Sequence, residues 1–409
     1  MVGSIQVSHV SWRRPGGEEL LRDISFGVGE GQRTALIGAN GVGKSTLLRL
    51  ITGDLRPTEG TISIDGRLGV MRQLVGTADR SPDAPTTVRQ LLVSLAEPAL
   101  QRAAVTLERA ERDAATDPMH YAEALASWGD HGGYEAEVHW HECVMRAVGL
   151  DLAAVAARPL RTFSGGEQKR LALEVLLRGH ADVLLLDEPD NFLDVHGKRG
   201  LERELLATRK TVLYVSHDRE LLAATATRLV TIEATGAWTH GGGFTGYAEA
   251  RRRHLDTLAK DRALYDNERQ RLEALVAEMR RRAKISDTFA PKLKAAESRL
   301  RLFLGKTDRP SDVRDQRVHV RLGGARTGKR AVIIEELELD GLTDDFDLEL
   351  WFGERVAVLG GNGVGKSHFL RLLAGDGSVA HHGTWRLGAG VVAGLFPRRT
   401  STPSGPAAR

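Results

Sequence analysis

Hydrophobic positions along this chain fall into two periods, separated by glycine-rich turns. The runs Thr34-Ala35-Leu36-Ile37, Val183-Leu184-Leu185-Leu186 and Val356-Ala357-Val358-Leu359 are short, continuous and uncharged, the pattern of strands buried within a parallel sheet. The first and third each lead into a glycine-rich loop and then a helical pattern. A different period governs the stretch between them. Leu258, Tyr265, Leu272 and Met279 recur every seven residues, Ala283 to Pro291 interrupts, and Leu293, Ala296, Leu300 and Leu304 resume at three- and four-residue spacing. This predicts two antiparallel helices joined by a tip, although a solvated, charged spacer helix gives the same pattern. After Phe396 the chain has no periodicity and is rich in Pro, Ser, Thr and Ala, which predicts a disordered tail over 397–409.

The two strand–loop–helix stretches are copies of one another. GANGVGKSTLLRLITGD at Gly38 to Asp54 recurs as GGNGVGKSHFLRLLAGD at Gly360 to Asp376, 322 residues on. Both fit G-x-x-x-x-G-K-[ST], a loop whose glycines turn backbone N–H groups inward around phosphate oxygens at a helix start. In this motif Lys44 reaches the β- and γ-phosphates and Ser45 ligates Mg²⁺. One such match can be a chance turn, whereas two in matching context cannot. Gly38, Asn40, Gly41, Gly43, Lys44, Ser45 and Thr46, and in the second copy Gly360, Asn362, Gly363, Gly365, Lys366 and Ser367, are the expected ATP-binding residues.

Composition narrows the class further. The only cysteine is Cys143, which excludes a disulfide within the chain, a thiolate zinc cluster and an iron–sulfur centre, and with them zinc-dependent DNA-repair ATPases. It reads as a small buried hydrophobe. No apolar run spans a bilayer and the first residues lack a signal core, so a cytoplasmic protein without membrane insertion is expected. The net charge of +3 conceals an asymmetry: Arg251 to Lys306 holds 16 Lys/Arg against 8 Asp/Glu, a local +8 that leaves −5 elsewhere.

The apolar run Val183 to Leu186 ends in Asp187-Glu188, acids delivered to the edge of a central strand. Asp187 is expected to hold the metal and Glu188 to polarise the attacking water. A buried strand followed by an ordinary acidic loop fits the run equally well. Just upstream, Phe163-Ser164-Gly165-Gly166-Glu167-Gln168-Lys169-Arg170 offers a hydroxyl and backbone amides at a helix start, a second anion-binding surface. A single phosphate loop has no need of two cradles. The pair makes sense when two cassettes meet head to tail.

The order GANGVGKS, Gln73, FSGGEQKR, LLLDEP, Leu193-Asp194 and Ser216-His217-Asp218 resembles that of the ATP-binding cassette ATPases. The resemblance implies an α/β P-loop NTPase fold with a helical subdomain. It implies that Gln73 contacts Mg²⁺ and the lytic water, Asp194 links two sites and His217 senses the γ-phosphate. Ser164, Gly165, Gly166 and Gln168 would belong to the opposing signature turn. Trp12 stands where an aromatic residue often meets adenine, though a core tryptophan explains it as well. Three features are most similar to the ABC-F class: the tandem repeat, the basic helical hairpin, and Gly132-Gly133-Tyr134 together with DEP-x-N-x-LD from Asp187 to Asp194. Such proteins bind the ribosome, so the linker around Arg280, Arg281, Arg282, Lys284, Phe289, Lys292 and Lys294 is expected to meet rRNA. ATP and Mg²⁺ are the implied cofactors. An ATPase subunit of an ABC transporter, and a nucleotide-binding remnant with little hydrolysis, are the alternatives.

Two positions depart from the class pattern, Asp190 where Thr is usual and Phe192 where His is usual. Ser164 and Glu188 lie 120 and 144 residues after Lys44, yet only 43 residues follow Lys366. The sequence therefore predicts a first cassette over 1–246 with a helical subdomain at about 85–180, a hairpin linker over 247–306, and a partial second cassette over 307–396. Hydrolysis is then expected to require dimerisation or a partner cassette.

Overall fold

The computed structural model describes residues 3–72, 87–234, 236–286, 289–306, 309 and 329–396. The predicted tail over 397–409 lies outside them. Contacts divide the chain into two units, one built from 4–65 and 222–317, the other from 66–221 and 318–409 with the first three residues. The expected contiguous cassette over 1–246 is thus shared between units. Strand pairing is the reason, because it joins segments far apart in sequence.

In the first unit, Ser4–Arg13 is the middle strand of an antiparallel sheet between Glu19–Val28 and Glu59–Asp65. Alternation places Ile5 and Val7 inside, and a register shift at left-handed His9 brings Val10 in after them, against Leu21, Ile24 and Phe26. The strand Arg33–Gly38 runs parallel to Arg228–Glu233, which pairs in turn with Gly236–His240. The run Thr34 to Ile37 is buried throughout, as its uncharged pattern requires.

The helix Tyr247–Ala283 leaves this unit through an aromatic joint. Trp238 stacks on Tyr247 at 5.7 Å and on His254 at 4.6 Å, and Arg251 pairs with Glu233. The second helix, Ala290–Lys306, packs back along the first. Tyr265, Val276 and Ala296 are buried in the seam, with the Phe303 ring 4.9 Å from Tyr265. Leu258, Leu272 and Met279 are only half-buried and Leu304 is exposed, because two helices alone cover a single narrow stripe.

In the second unit, Leu68–Met71, Val183–Asp187 and Thr211–Val215 form parallel pairs. Helices between 88 and 178 enclose a core of Leu92, Trp128, Trp140, Cys143, Val144 and Leu171. Cys143 has no exposed surface, and burial pushes its thiol up to about 12. It acts as a hydrophobe. The second repeat forms an antiparallel sheet of Phe346–Trp351, Arg330–Leu339 and His381–Leu387, with Phe369 and Leu372 of the helix Lys366–Leu373 packed against it.

The strand expected at Val356 to Leu359 is absent: these residues join no strand and are exposed, Leu359 at 85%. Its counterpart at Thr34 to Ile37 is held by Arg228–Glu233. No strand among the described residues offers the second copy such a ladder, and β-propensity without pairing does not make a strand.

Lys210 closes the C-terminal end of the helix Gly165–Arg178 by donating to the carbonyls of Leu176 and Gly179. Burial pulls its ammonium from 10.5 down to about 8. Because the folded state releases this proton first, the cost of burying the charge is full below pH 8 and is relieved as pH rises towards 10.5. Lys210→Met is expected to destabilise the protein by about 1–2 kcal/mol at pH 7 through the lost hydrogen bonds. The gap from wild type should widen above pH 8, as urea unfolding across that range would show.

Candidate nucleotide-binding site

The first phosphate loop joins the strand Arg33–Gly38 to the helix Lys44–Ile51. Only glycine fits at two of its corners. At Gly38 (φ 155°) a Cβ would lie 2.5 Å from the Ile232 carbonyl, and at Gly43 (φ 110°) it would lie 2.9 Å from the Leu21 side chain. Lys44, 7% exposed, folds back so that Nζ donates to the carbonyls of Gly38 at 2.8 Å and Ala39 at 2.9 Å. The helix carries no side-chain N-cap, so its leading amides belong to the loop. Ser45 is exposed at its start, Thr46 half-buried, and Asn40 and Gly41 exposed, with open space on the Cβ side of Gly41. This is a backbone anion cradle beside a cation, which fits a triphosphate. Trp12 is half-buried opposite Leu21 on the adjacent strand of the antiparallel sheet.

The second loop repeats this geometry. Gly360, Gly363 and Gly365 have φ of 154°, 87° and 90°, Lys366 Nζ donates to the Gly360 carbonyl at 2.9 Å and to that of Gly361, and Ser367 is exposed.

At the signature turn, Ser164 caps the helix Gly165–Arg178. Its Oγ accepts from the Glu167 amide at 3.2 Å, and its own amide donates to Glu167 Oε2 at 2.7 Å. Gln168 points back beneath the turn, where Nε2 donates to the carbonyls of Leu160 and Phe163. In this structure it shapes the turn. Gly166 is buried, and a Cβ there would meet Asn362 Nδ2 at 2.8 Å and the Phe192 carbonyl at 2.9 Å. Asn362 donates from Nδ2 to that carbonyl at 2.7 Å and from its amide to Asp194 Oδ2 at 3.2 Å. The second phosphate loop therefore rests on the signature helix and on the Asp194 turn. Asp194 also accepts from the Gly197 amide at 2.8 Å, and these two amides, Gly197 foremost, hold its carboxyl below the ordinary value.

Asp187, 6% exposed, ends the acidic strand, and Glu188 follows it with a left-handed backbone (φ 52°). Asn191 Nδ2 donates to Glu188 Oε2, and His217 Nε2 lies 4.0 Å from Glu188 Oε1. Glu188 and His217 are thus neighbours. Gln73 lies outside the described residues.

Sequence reasoning missed Asn191 and Lys169 as members of this cluster. Lys169 has no exposed surface, donates to the Glu188 carbonyl, and lies 5.7 Å from the Phe192 ring. Burial lowers its ammonium to about 8 against the opposing pull of Asp190, Glu188 and Asp187. The available signal was its place one turn after Gly166, on the helix face that also carries Ala172 and Leu173.

Duplicated phosphate loops, a signature turn and an acidic strand ending in paired carboxylates define an ATP-binding cassette protein. The ABC transporter family pattern matches residues 21–191. An antibiotic resistance protein of Mycobacteroides abscessus is 46% identical over 96% of this chain and 75% of its own length. The tylosin resistance ATP-binding protein TlrC of Streptomyces fradiae is 30% identical over 87% of this chain and 70% of its own. ABC transporter F family member 4 of Arabidopsis thaliana is 29% identical over 88% of this chain and 52% of its own. The chain belongs to the ABC-F family of ATP-binding cassette proteins. No helix among the described residues is long and apolar enough to cross a membrane.

Removing the Asp194 carboxylate leaves two backbone amides without their acceptor. Asp194→Ala is expected to cost about 1–2 kcal/mol at pH 7. Because the folded carboxyl titrates below its ordinary 3.8, this stabilisation is present above that value and lost as pH falls through the folded one. Urea unfolding of variant and wild type should therefore converge in acid.

Proposed function

We propose that this ABC-F ATPase couples ATP binding and hydrolysis to binding and release of the ribosome, through the basic helical hairpin, in translation regulation or ribosomal antibiotic resistance. The observation that carries this reading is the seating of Asn362 on Gly166 and Asp194. It brings a phosphate loop to a signature turn, the arrangement in which a triphosphate is gripped from both sides. ATP drives a conformational change only as far as it prefers the closed form, and a grip shared by two modules supplies that preference.

In this reading Lys44 and the amides of 38–46, and likewise Lys366 and the amides of 360–367, hold phosphates, while Ser164, Gly165 and Gly166 complete the opposite side. Ser45, Asp187 and Gln73 would hold Mg²⁺, which neutralises charge developing on the phosphates. Glu188 takes a proton from the attacking water, and His217 stands beside it to meet the γ-phosphate. The exposed hydroxyl of Ser45 and the buried acid Asp187 are the hard oxygen donors such an ion prefers. We infer further that the Lys44 loop is completed by a signature turn from a second cassette.

The hairpin tip supports an rRNA partner. Arg282 and Lys292 lie 5.8 and 5.3 Å from the Phe289 ring, so an aromatic face sits beside two cations that suit phosphates. Glu188→Gln protein with ATP should co-sediment with ribosomes more than wild type does, and high salt should release it. Arg282→Ala with Lys292→Ala should lower the slope of log affinity against log salt by about two. No co-sedimentation at any ionic strength would remove the ribosomal reading. Lys44→Ala with unchanged nucleotide affinity and turnover would remove the catalytic one.

A further inference from the structure

Glu188 carries an unusual backbone. Its φ of 52° lies in the left-handed region, where a side chain crowds the following carbonyl, and such a conformation persists only when its surroundings hold it. Three contacts do so. The Glu188 amide donates to the Val215 carbonyl at 3.0 Å, the Asn191 amide reaches the Glu188 carbonyl at 3.3 Å, and Lys169 Nζ donates to that same carbonyl. The first two are local to the strand ends and the turn. The third comes from the signature helix.

Lys169 is an expensive way to make one hydrogen bond, because a buried ammonium needs a counter-charge and further partners. Both are present. Asp190 is 5% exposed and its carboxylate is the foremost charge acting on this ammonium. The Phe192 ring, itself on a left-handed residue (φ 67°), covers the ammonium from 5.7 Å. Asp190 and Phe192 are the two positions at which the turn departs from the class pattern, and both serve the same lysine. The helix face is shared as well. Lys169 lies one turn after Gly166, on which Asn362 of the second phosphate loop rests.

We propose that Lys169 is a positioning residue for ATP hydrolysis: its ammonium, balanced by Asp190 and covered by Phe192, pins the strained backbone of Glu188 to the signature helix and so aims the carboxylate. The inference rests on Glu188 being the group that activates water. It adds that this aim is set from the signature helix, so that the face meeting the second phosphate loop also fixes the general base. Lys169 itself touches neither nucleotide nor water in this role.

Lys169→Met alone would strand the buried Asp190 charge and lower stability whatever its role, so the informative variant is Lys169→Met with Asp190→Asn, which removes both charges together. The expected result is a thermal midpoint near that of wild type, a KM for ATP within about twofold, and a kcat lowered by about tenfold to a hundredfold, the scale of a misaimed catalytic group. A pair that serves only stability would leave kcat unchanged once the protein is folded. Lys169→Gln with Asp190→Asn keeps polar groups at both sites should the first pair not fold, and the same split is expected, kcat down and KM held. Glu188→Gln runs alongside. Loss of turnover in Glu188→Gln and in the folded pair supports the positioning role. Loss in Glu188→Gln with wild-type kcat in the folded pair overturns that role alone. Wild-type kcat in Glu188→Gln overturns the base assignment and the positioning role with it.

Discussion

One carboxylate, that of Asp194, ties the second phosphate loop to the turn that follows the acidic strand. It accepts the Gly197 amide of its own helix and the Asn362 amide of the second phosphate loop. An acceptor shared by two backbone donors is held below its ordinary titration range and stays charged near neutrality. Around that point the packing permits no slack. Gly166 cannot gain a methyl group without striking Asn362 or the Phe192 carbonyl, and the Phe192 ring in turn covers the lysine that holds Glu188. Contact between a phosphate loop and a signature turn is therefore continuous, through side chains and backbone, with Glu188.

The parts legible in sequence are those whose chemistry is local. A phosphate loop needs glycines at fixed corners, and the φ values at Gly38 and Gly43 match that need. An uncharged run followed by two acids becomes a buried strand wherever neighbours pair with it, as Val183–Asp187 does on both sides. Where pairing is missing the same local pattern fails, which is why Val356 to Leu359 is exposed while Thr34 to Ile37 is buried. Gln168 is another case. Motif position suggests that it faces nucleotide, but its amide finds two carbonyls under its own turn, a choice made by tertiary geometry. Lys169 was hidden for the opposite reason: in sequence a lysine beside an arginine reads as solvated surface, and only packing against the acidic turn reveals an interior charge. The grouping of 4–65 with 222–317 was equally out of reach, because it rests on pairs such as Gly38 with Ile232, whose partners are nearly the whole first cassette apart.

The hairpin shows how charge and packing divide their work. Its first helix has 37 residues, a rod of about 55 Å at 1.5 Å per residue. Such a rod transmits motion only if it is stiff along its length and fixed at its root. Its root is fixed by aromatic stacking together with one ion pair: Trp238 stacks on Tyr247 and on His254, and Arg251 pairs with a Glu233 side chain that is itself only 9% exposed. Along the middle, the seam of Tyr265, Val276 and Ala296 gives stiffness at low cost in apolar surface. Near the tip Arg280 pairs with Glu297 across the hairpin and Arg282 with Glu278, while Arg282 and Lys292 also approach the Phe289 ring. In the proposed ribosomal role, such a patch would have its affinity tuned by salt while its position is set by the sheet at the other end. The root strand Gly236–His240 pairs with Arg228–Glu233, and Arg228–Glu233 pairs with the strand that carries the first phosphate loop. The first phosphate loop and the helix that carries the basic tip are therefore separated by only two hydrogen-bonded strand ladders and one aromatic stack.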